Sequence, residues 1–216
     1  MKSIAVILSG CGVFDGSEIH ETVLTMLALS KSNVEIHFFA PDEAQSTVIN
    51  HISGELKTEK RNQMEESARI TRGKIAALSS ADASKLDALI IPGGFGVAKN
   101  LCDFAVEGSE CEINKDLLSL VQQMHQQKKP LGLMCIAPVM LPRMLNTSVE
   151  LTIGNDSETI AQIIKMGGKH IECTVDNIVV DEANKVVTTP AYMLAQSIAE
   201  ANTGISKLVE KVLEMA

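Results

Sequence analysis

The chain has 216 residues, enough for one α/β domain with a full core and too few for two comfortable ones. Its 27 acidic against 19 basic residues leave a net charge of −8, and with one Tyr, no Trp and no basic block the composition argues against nucleic-acid binding. Five cysteines, an odd number at scattered positions with no C-x-x-C pair, argue against a disulfide framework or a metal clip and imply a reduced, cytoplasmic setting.

Lys2 to Ser9 is apolar and β-branched, as a central parallel strand requires. Its run from Ile4 to Leu8 is shorter than the apolar segment of a signal peptide, although "LSGC" mimics a lipoprotein cleavage site, and no other stretch reads as membrane-spanning. "GCGVFDGS" then forms a loop whose G-x-G-x-x-x-G spacing misses the dinucleotide fingerprint by one residue, so no nucleotide cofactor is expected. Ser17 is placed to cap a helix that keeps Ile19, Val23, Met26, Leu27 and Ser30 on one face. Glu18, His20 and Glu21 fill its first turn, where acidic residues suit any helix N-terminus. That turn also lies on the carboxyl edge of the sheet, where α/β proteins build their sites.

Val34 to Ala40 reads as the second strand. Residues 45–78 form a long, polar insertion in which "ESARITRG" is helical and Arg69 and Arg72 share a face, either as solvated surface or as a lid over an anionic substrate. Leu86 to Ile91 is a third strand, stopped by "PGGFG". Adjacent glycines there suit a plain tight turn or an oxyanion hole built from backbone amides. A second insertion, 100–114, carries Cys102 and Cys111, and an amphipathic helix from Lys115 to Gln127 leads out of it.

"PLGLMCIAPVMLP" follows. Pro130 to Met134 reads as a buried strand and Ile136 to Leu145 as a helix, with Pro138 early enough to lose no hydrogen bond. Cys135 lies on the turn between them, a nucleophile elbow beside helix amides that favour a thiolate. A small, buried, inert cysteine is the bland alternative. Downstream, Val149 to Ile153 is a strand, Ser157 caps a helix running to Met166, and "GGKH" breaks it. Thr174 to Val180 and Lys185 to Thr189 form a hairpin around "DEAN", and "TTPAYML" opens terminal helices that break at Gly204. Alternating strands and helices predict a three-layer, doubly wound, mostly parallel α/β sheet.

The segments "LSGCGVFDGSEIHE", "PGGFGVAKNL", "MCIAPVMLP" and "VVTTPAYMLAQ" together resemble the ThiJ/PfpI superfamily, and within it the enhancing lycopene biosynthesis proteins with an amidotransferase-like domain. The resemblance covers nearly the whole chain and implies the class I glutamine amidotransferase-like (flavodoxin-like) fold, as one domain over 1–216. It also implies that Cys135 is the nucleophile, that Glu21, with Glu18 in reserve, is the acid hydrogen-bonded to its sulfur, and that the amides of Gly94 and Ile136 form the oxyanion hole. Relatives in the superfamily commonly form dimers, so a homodimer is the implied assembly, one that the insertions either build or block. Two departures stand out. Ile136 follows the cysteine where many relatives have a histidine, and His170 and Glu172 have the His-x-Glu spacing of a glutaminase triad but too soon after the cysteine for that role.

The implied activity is a glutathione-independent glyoxalase, of low turnover for want of a histidine partner, turning a small 2-oxoaldehyde into a 2-hydroxy acid through a hemithioacetal on Cys135, with neither metal nor organic cofactor. The competing reading keeps the elbow without turnover, as a cysteine redox sensor or a binding protein linked to isoprenoid metabolism. No aspartate-rich motif for a magnesium-bound prenyl diphosphate is present.

Overall fold

Burial on both faces decides how these strands assemble. The computed structural model describes every residue from Met1 to Ala216. In chain order its elements are β1 (Lys2–Ile7), α1 (Ile19–Ser30), β2 (Val34–Ala40), α2 (Gln63–Thr71), β3 (Ala76–Ala77), β4 (Ala88–Ile91), α3 (Phe104–Glu107), α4 (Lys115–Gln126), β5 (Leu131–Met134), α5 (Leu141–Leu145), β6 (Glu150–Leu151), α6 (Ser157–Lys165), β7 (Lys169–His170), β8 (Val179–Asp181), β9 (Val186–Thr189) and α7 (Ile198–Met215). Seven strands form one sheet in the order β3-β2-β1-β4-β5-β9-β8. All its neighbours run parallel except β8, which closes the edge antiparallel to β9.

Period-two alternation sends successive residues of each central strand to opposite faces. Ala5 and Ile7 of β1, Leu89 and Ile91 of β4, and Leu131 and Leu133 of β5 pack with Leu117, Val121 and Met124 of α4 and Leu141 and Met144 of α5. Ile4 and Val6, Ala88 and Ile90, and Met134 pack with Leu24 and Leu29 of α1 and Ile205, Leu208 and Val212 of α7. This is the expected three-layer α/β architecture. No helix is long and apolar enough to cross a membrane.

Several local expectations are corrected. On α1 the inward face is Glu21, Thr22, Leu24, Thr25 and Leu29, whereas Ile19, Val23 and Leu27 are 41%, 45% and 45% exposed. The helix is rotated so that Glu21 turns toward the sheet, a placement that apolar periodicity does not reveal. Ser17 does not cap it: Ser9 N–H donates to Ser17 Oγ at 2.9 Å, and the Glu18 carboxylate caps instead, accepting from Glu21 N–H at 2.7 Å. Asp156, not Ser157, caps α6.

The elbow helix covers nearly the expected residues but is split, a 3₁₀ turn over Ala137–Met140 followed by α5. Pro142 has no N–H with which to continue an α-helical ladder from Pro138. The strand after it shrinks to β6, which pairs in parallel with β7 in a separate two-stranded sheet, so "GGKH" holds a strand as well as a break. Gly204 does not interrupt α7. A Cβ at Gly204 would lie 2.5 Å from Thr189 Oγ1 and from Val175 O, so close packing accounts for it.

Candidate active site

Cys135 occupies the bend between β5 and the 3₁₀ turn with φ +59°, a left-handed conformation that a side-chain-bearing residue rarely adopts. Its N–H donates to Thr189 O at 3.1 Å on β9, which fixes the bend at the carboxyl edge of the sheet. The residue is 8% exposed.

Glu21 comes to it from α1 and is fully buried. Its Oε2 accepts from Gly93 N–H at 2.7 Å, its Oε1 accepts from Tyr192 N–H at 3.1 Å, and the carboxyl also meets the Cys135 thiol. Gly93 is there because nothing larger fits. A Cβ on it would lie 2.4 Å from Cys135 Cβ and 2.7 Å from Glu21 Oε2. Ala191, just before Tyr192, has φ +44°. Two strained backbone positions, Cys135 and Ala191, thus flank one buried acid.

The backbone N–H groups of Gly94 and Ile136 both favour the anionic form of the Cys135 sulfur. Gly94 reaches it with φ +101°, and a Cβ there would meet Gly16 O at 2.3 Å. The two amides assigned from the resemblance to an oxyanion hole therefore converge on one sulfur.

Burial pushes the Glu21 carboxyl up to about 7, aided by the Glu18 charge, against the pull of its hydrogen bonds from Tyr192 and Gly93. Burial, then the Glu21 charge, raises the Cys135 thiol well above its ordinary range, and the amides of Gly94 and Ile136 only partly offset this. The expected ease of ionisation is thereby overturned. A short 3₁₀ turn offers less favourable field than a full helix, and the anion would sit in an apolar bed.

Cys135 opens onto a cavity of about 320 Å³ lined by Val13, Glu18, Gly94, Phe95, Ile136, Asp156, Thr159, Tyr192 and Met193. Its charged lining groups are the carboxylates of Glu18 and Asp156, with no Lys or Arg. Arg69 and Arg72 are elsewhere: Arg69 pairs with Glu66 at 3.0 Å and Arg72 ends α2 in the left-handed region, as solvated surface. His170 belongs to β7, where its Nε2 accepts from Ile153 N–H at 3.4 Å, and neither it nor Glu172 lines the cavity. An imidazole does reach the wall by another route, since His20 Nδ1 and Tyr192 Oη are 2.8 Å apart. Gly93 and Tyr192 escaped the sequence reading as site residues because both act through backbone N–H. Their one signal was position, each within three residues of the end of a strand on the same edge.

A rat ES1 protein homolog, mitochondrial, is 45% identical over 98% of this chain and 83% of its own length. The chain belongs to the ES1 family. A human relative at 45% identity over 98% of the chain and 82% of its own is named glutamine amidotransferase-like class 1 domain-containing protein 3, mitochondrial. A solved isoprenoid biosynthesis protein with amidotransferase-like domain from Ehrlichia chaffeensis superposes on this ES1-family chain with TM-score 0.93, 37% identity and coverage of 100% and 99%. A glyoxalase III from Candida albicans shares the fold at TM-score 0.65 and 14% identity, covering 99% and 97%. The fold of the DJ-1/ThiJ/PfpI superfamily, implied by the resemblance, is thus shared across these structures. No protein-family model matches the chain. The cytoplasmic expectation is corrected: the curated ES1 relatives are named mitochondrial proteins, and an odd set of free cysteines does not distinguish one reducing compartment from another.

Proposed function

We propose that this ES1-family protein converts glyoxal, and similar small uncharged 2-oxoaldehydes, to 2-hydroxy acids through a thiol adduct on Cys135. The observation that carries the reading is the fully buried Glu21 carboxyl, raised to about 7 and touching the Cys135 thiol under two convergent amides. A carboxyl that titrates near neutrality can both take and return a proton there.

The steps balance without an external oxidant. As the sulfur bonds to one aldehyde carbon, the thiol proton passes to the Glu21 carboxylate, while the oxygen that gains charge accepts from the N–H groups of Gly94 and Ile136. Glu21 returns that proton to the oxygen, giving a hemithioacetal. It next removes the hydrogen on the sulfur-bearing carbon and delivers it to the neighbouring carbon, while the hydroxyl proton passes to the neighbouring oxygen, leaving a glycolate thioester. Water hydrolyses the thioester and restores the thiol.

The lining selects the substrate. Glu18 and Asp156 at the wall, with no cation opposite, disfavour carboxylates and phosphates, and a space of about 320 Å³ suits a small molecule. A low-pKa sensor thiol, the competing reading, is less compatible with a sulfur whose proton is held by burial. In a glutathione-free assay, glyoxal is expected to yield glycolate while glyoxylate is left unchanged. No glycolate above the uncatalysed rate would remove the proposal.

A further inference from the structure

The segment between Cys102 and Ile113 holds two sulfurs that the scheme above does not use. Cys102 forms an antiparallel bridge with Ile113, and Asp103 N–H donates to Glu112 O at 3.3 Å. In that register Cys111 lies two residues before the partner of Cys102, on the same face and diagonally adjacent. Both cysteines are buried in one apolar cluster with Ile113. The loop is anchored at both ends of this pair. Cys102 Sγ donates to Val97 O at 3.3 Å, closing the π-helical turn Val97–Leu101 that follows the glycine loop, and Arg143 of α5 donates to Ser109 O and pairs with Glu110 at 3.2 Å. Cys102 also lines a polar cleft of about 520 Å³ together with Asp103, Glu112 and Asn114.

We propose that Cys102 and Cys111 are an oxidisable dithiol, separate from Cys135, that closes to an intramolecular disulfide on reaction with a hydroperoxide. Cys111 sulfur attacks the peroxide oxygen, the O–O bond breaks, and a sulfenic acid forms as the other oxygen leaves as water or an alcohol. Cys102 sulfur then displaces the sulfenic hydroxyl, which leaves as water with the Cys102 proton. Two thiols and one hydroperoxide give one disulfide, one alcohol or water, and one water: the sulfurs lose the two electrons that the peroxide gains.

The two thiols differ in a way that suits these roles. Arg143, which holds Ser109 and Glu110 just before Cys111, favours the Cys111 thiolate, whereas burial and donation of its Sγ–H to Val97 O keep the Cys102 thiol protonated. Cys111 is the better attacking sulfur and Cys102 the resolving one.

No Lys or Arg lies between Lys99 and Lys115, so trypsin releases both cysteines on the single peptide Asn100 to Lys115. After brief treatment of the full chain with hydrogen peroxide, then unfolding in denaturant and alkylation with iodoacetamide, that peptide is expected to carry no alkyl groups and to be lighter than the dithiol by two hydrogens. The alkylatable thiols of the native sequence then fall from five to three, and dithiothreitol reverses the change. In Cys102→Ser, dimedone is expected to trap Cys111 as the sulfenic acid. The proposal is overturned if the wild-type peptide keeps both alkyl groups while Cys135 or Cys173 is oxidised, or if Cys111 bridges to a different cysteine.

Discussion

Cys135→Ala is expected to lower glycolate formation from glyoxal by about 10⁴-fold or more, the order of loss that follows removal of an enzyme nucleophile. No other thiol lines the cavity, and the amides of Gly94 and Ile136 have no function toward an adduct that cannot form. The fold should survive. Ala is smaller than Cys and tolerates φ +59° no worse, so circular dichroism and Tm are expected to stay close to wild type. A Cys135→Ala protein that keeps its rate within tenfold would show that the chemistry lies elsewhere.

Glu21→Gln is expected to reduce the same rate by about 10²- to 10⁴-fold, the usual contribution of a positioned acid or base. Because the carboxylate is the form that accepts the thiol proton, the wild-type rate should rise with pH through the Glu21 titration near about 7 and level off above it. Stability should move the opposite way. The folded carboxyl keeps its proton between 4.5 and about 7, where an unfolded Glu has lost it, so the native state binds more protons and weakens as pH rises through that window. The shift corresponds to about 3 kcal/mol. Gln cannot ionise, and as an amide it also cannot accept from both Gly93 and Tyr192 N–H, so it loses one of these bonds at every pH. The stability difference between wild type and Glu21→Gln, measured by denaturant unfolding at acid and at mildly alkaline pH, should therefore shift toward the variant as pH rises. A difference independent of pH would mean that Glu21 is already ionised in the folded chain at acid pH.

The architecture was legible because the central strands are apolar on both faces and separated by helical stretches, which leaves few alternatives to a parallel three-layer sheet. The elbow was legible for a local reason: an apolar run, one cysteine and an early proline can be read without knowing what packs nearby. The α1 face was not. Apolar spacing selected Ile19, Val23 and Leu27, yet the helix turns Glu21 inward, because its carboxyl is matched by N–H donors at Gly93 and Tyr192, 72 and 171 residues away. The ionisation of Cys135 was misread for the same reason. Helix amides are visible in the local sequence, while the burial and the facing Glu21 charge that outweigh them arise only from tertiary packing. Capping residues show the same limit at smaller scale. Ser17 and Ser157 are reasonable caps by type, but the first is engaged by Ser9 and the second stands one residue inside the helix that Asp156 caps.

The most direct test is the pH dependence of Cys135 alkylation by iodoacetamide, read on the tryptic peptide that contains it. A thiol whose proton is held by burial and by the Glu21 carboxyl should alkylate slowly at neutral pH, with an onset above that of a free thiol at about 8.5, and Glu21→Gln should bring the onset down while glycolate formation is lost. A wild-type rate already at its plateau below neutrality, unchanged by Glu21→Gln, would contradict the account.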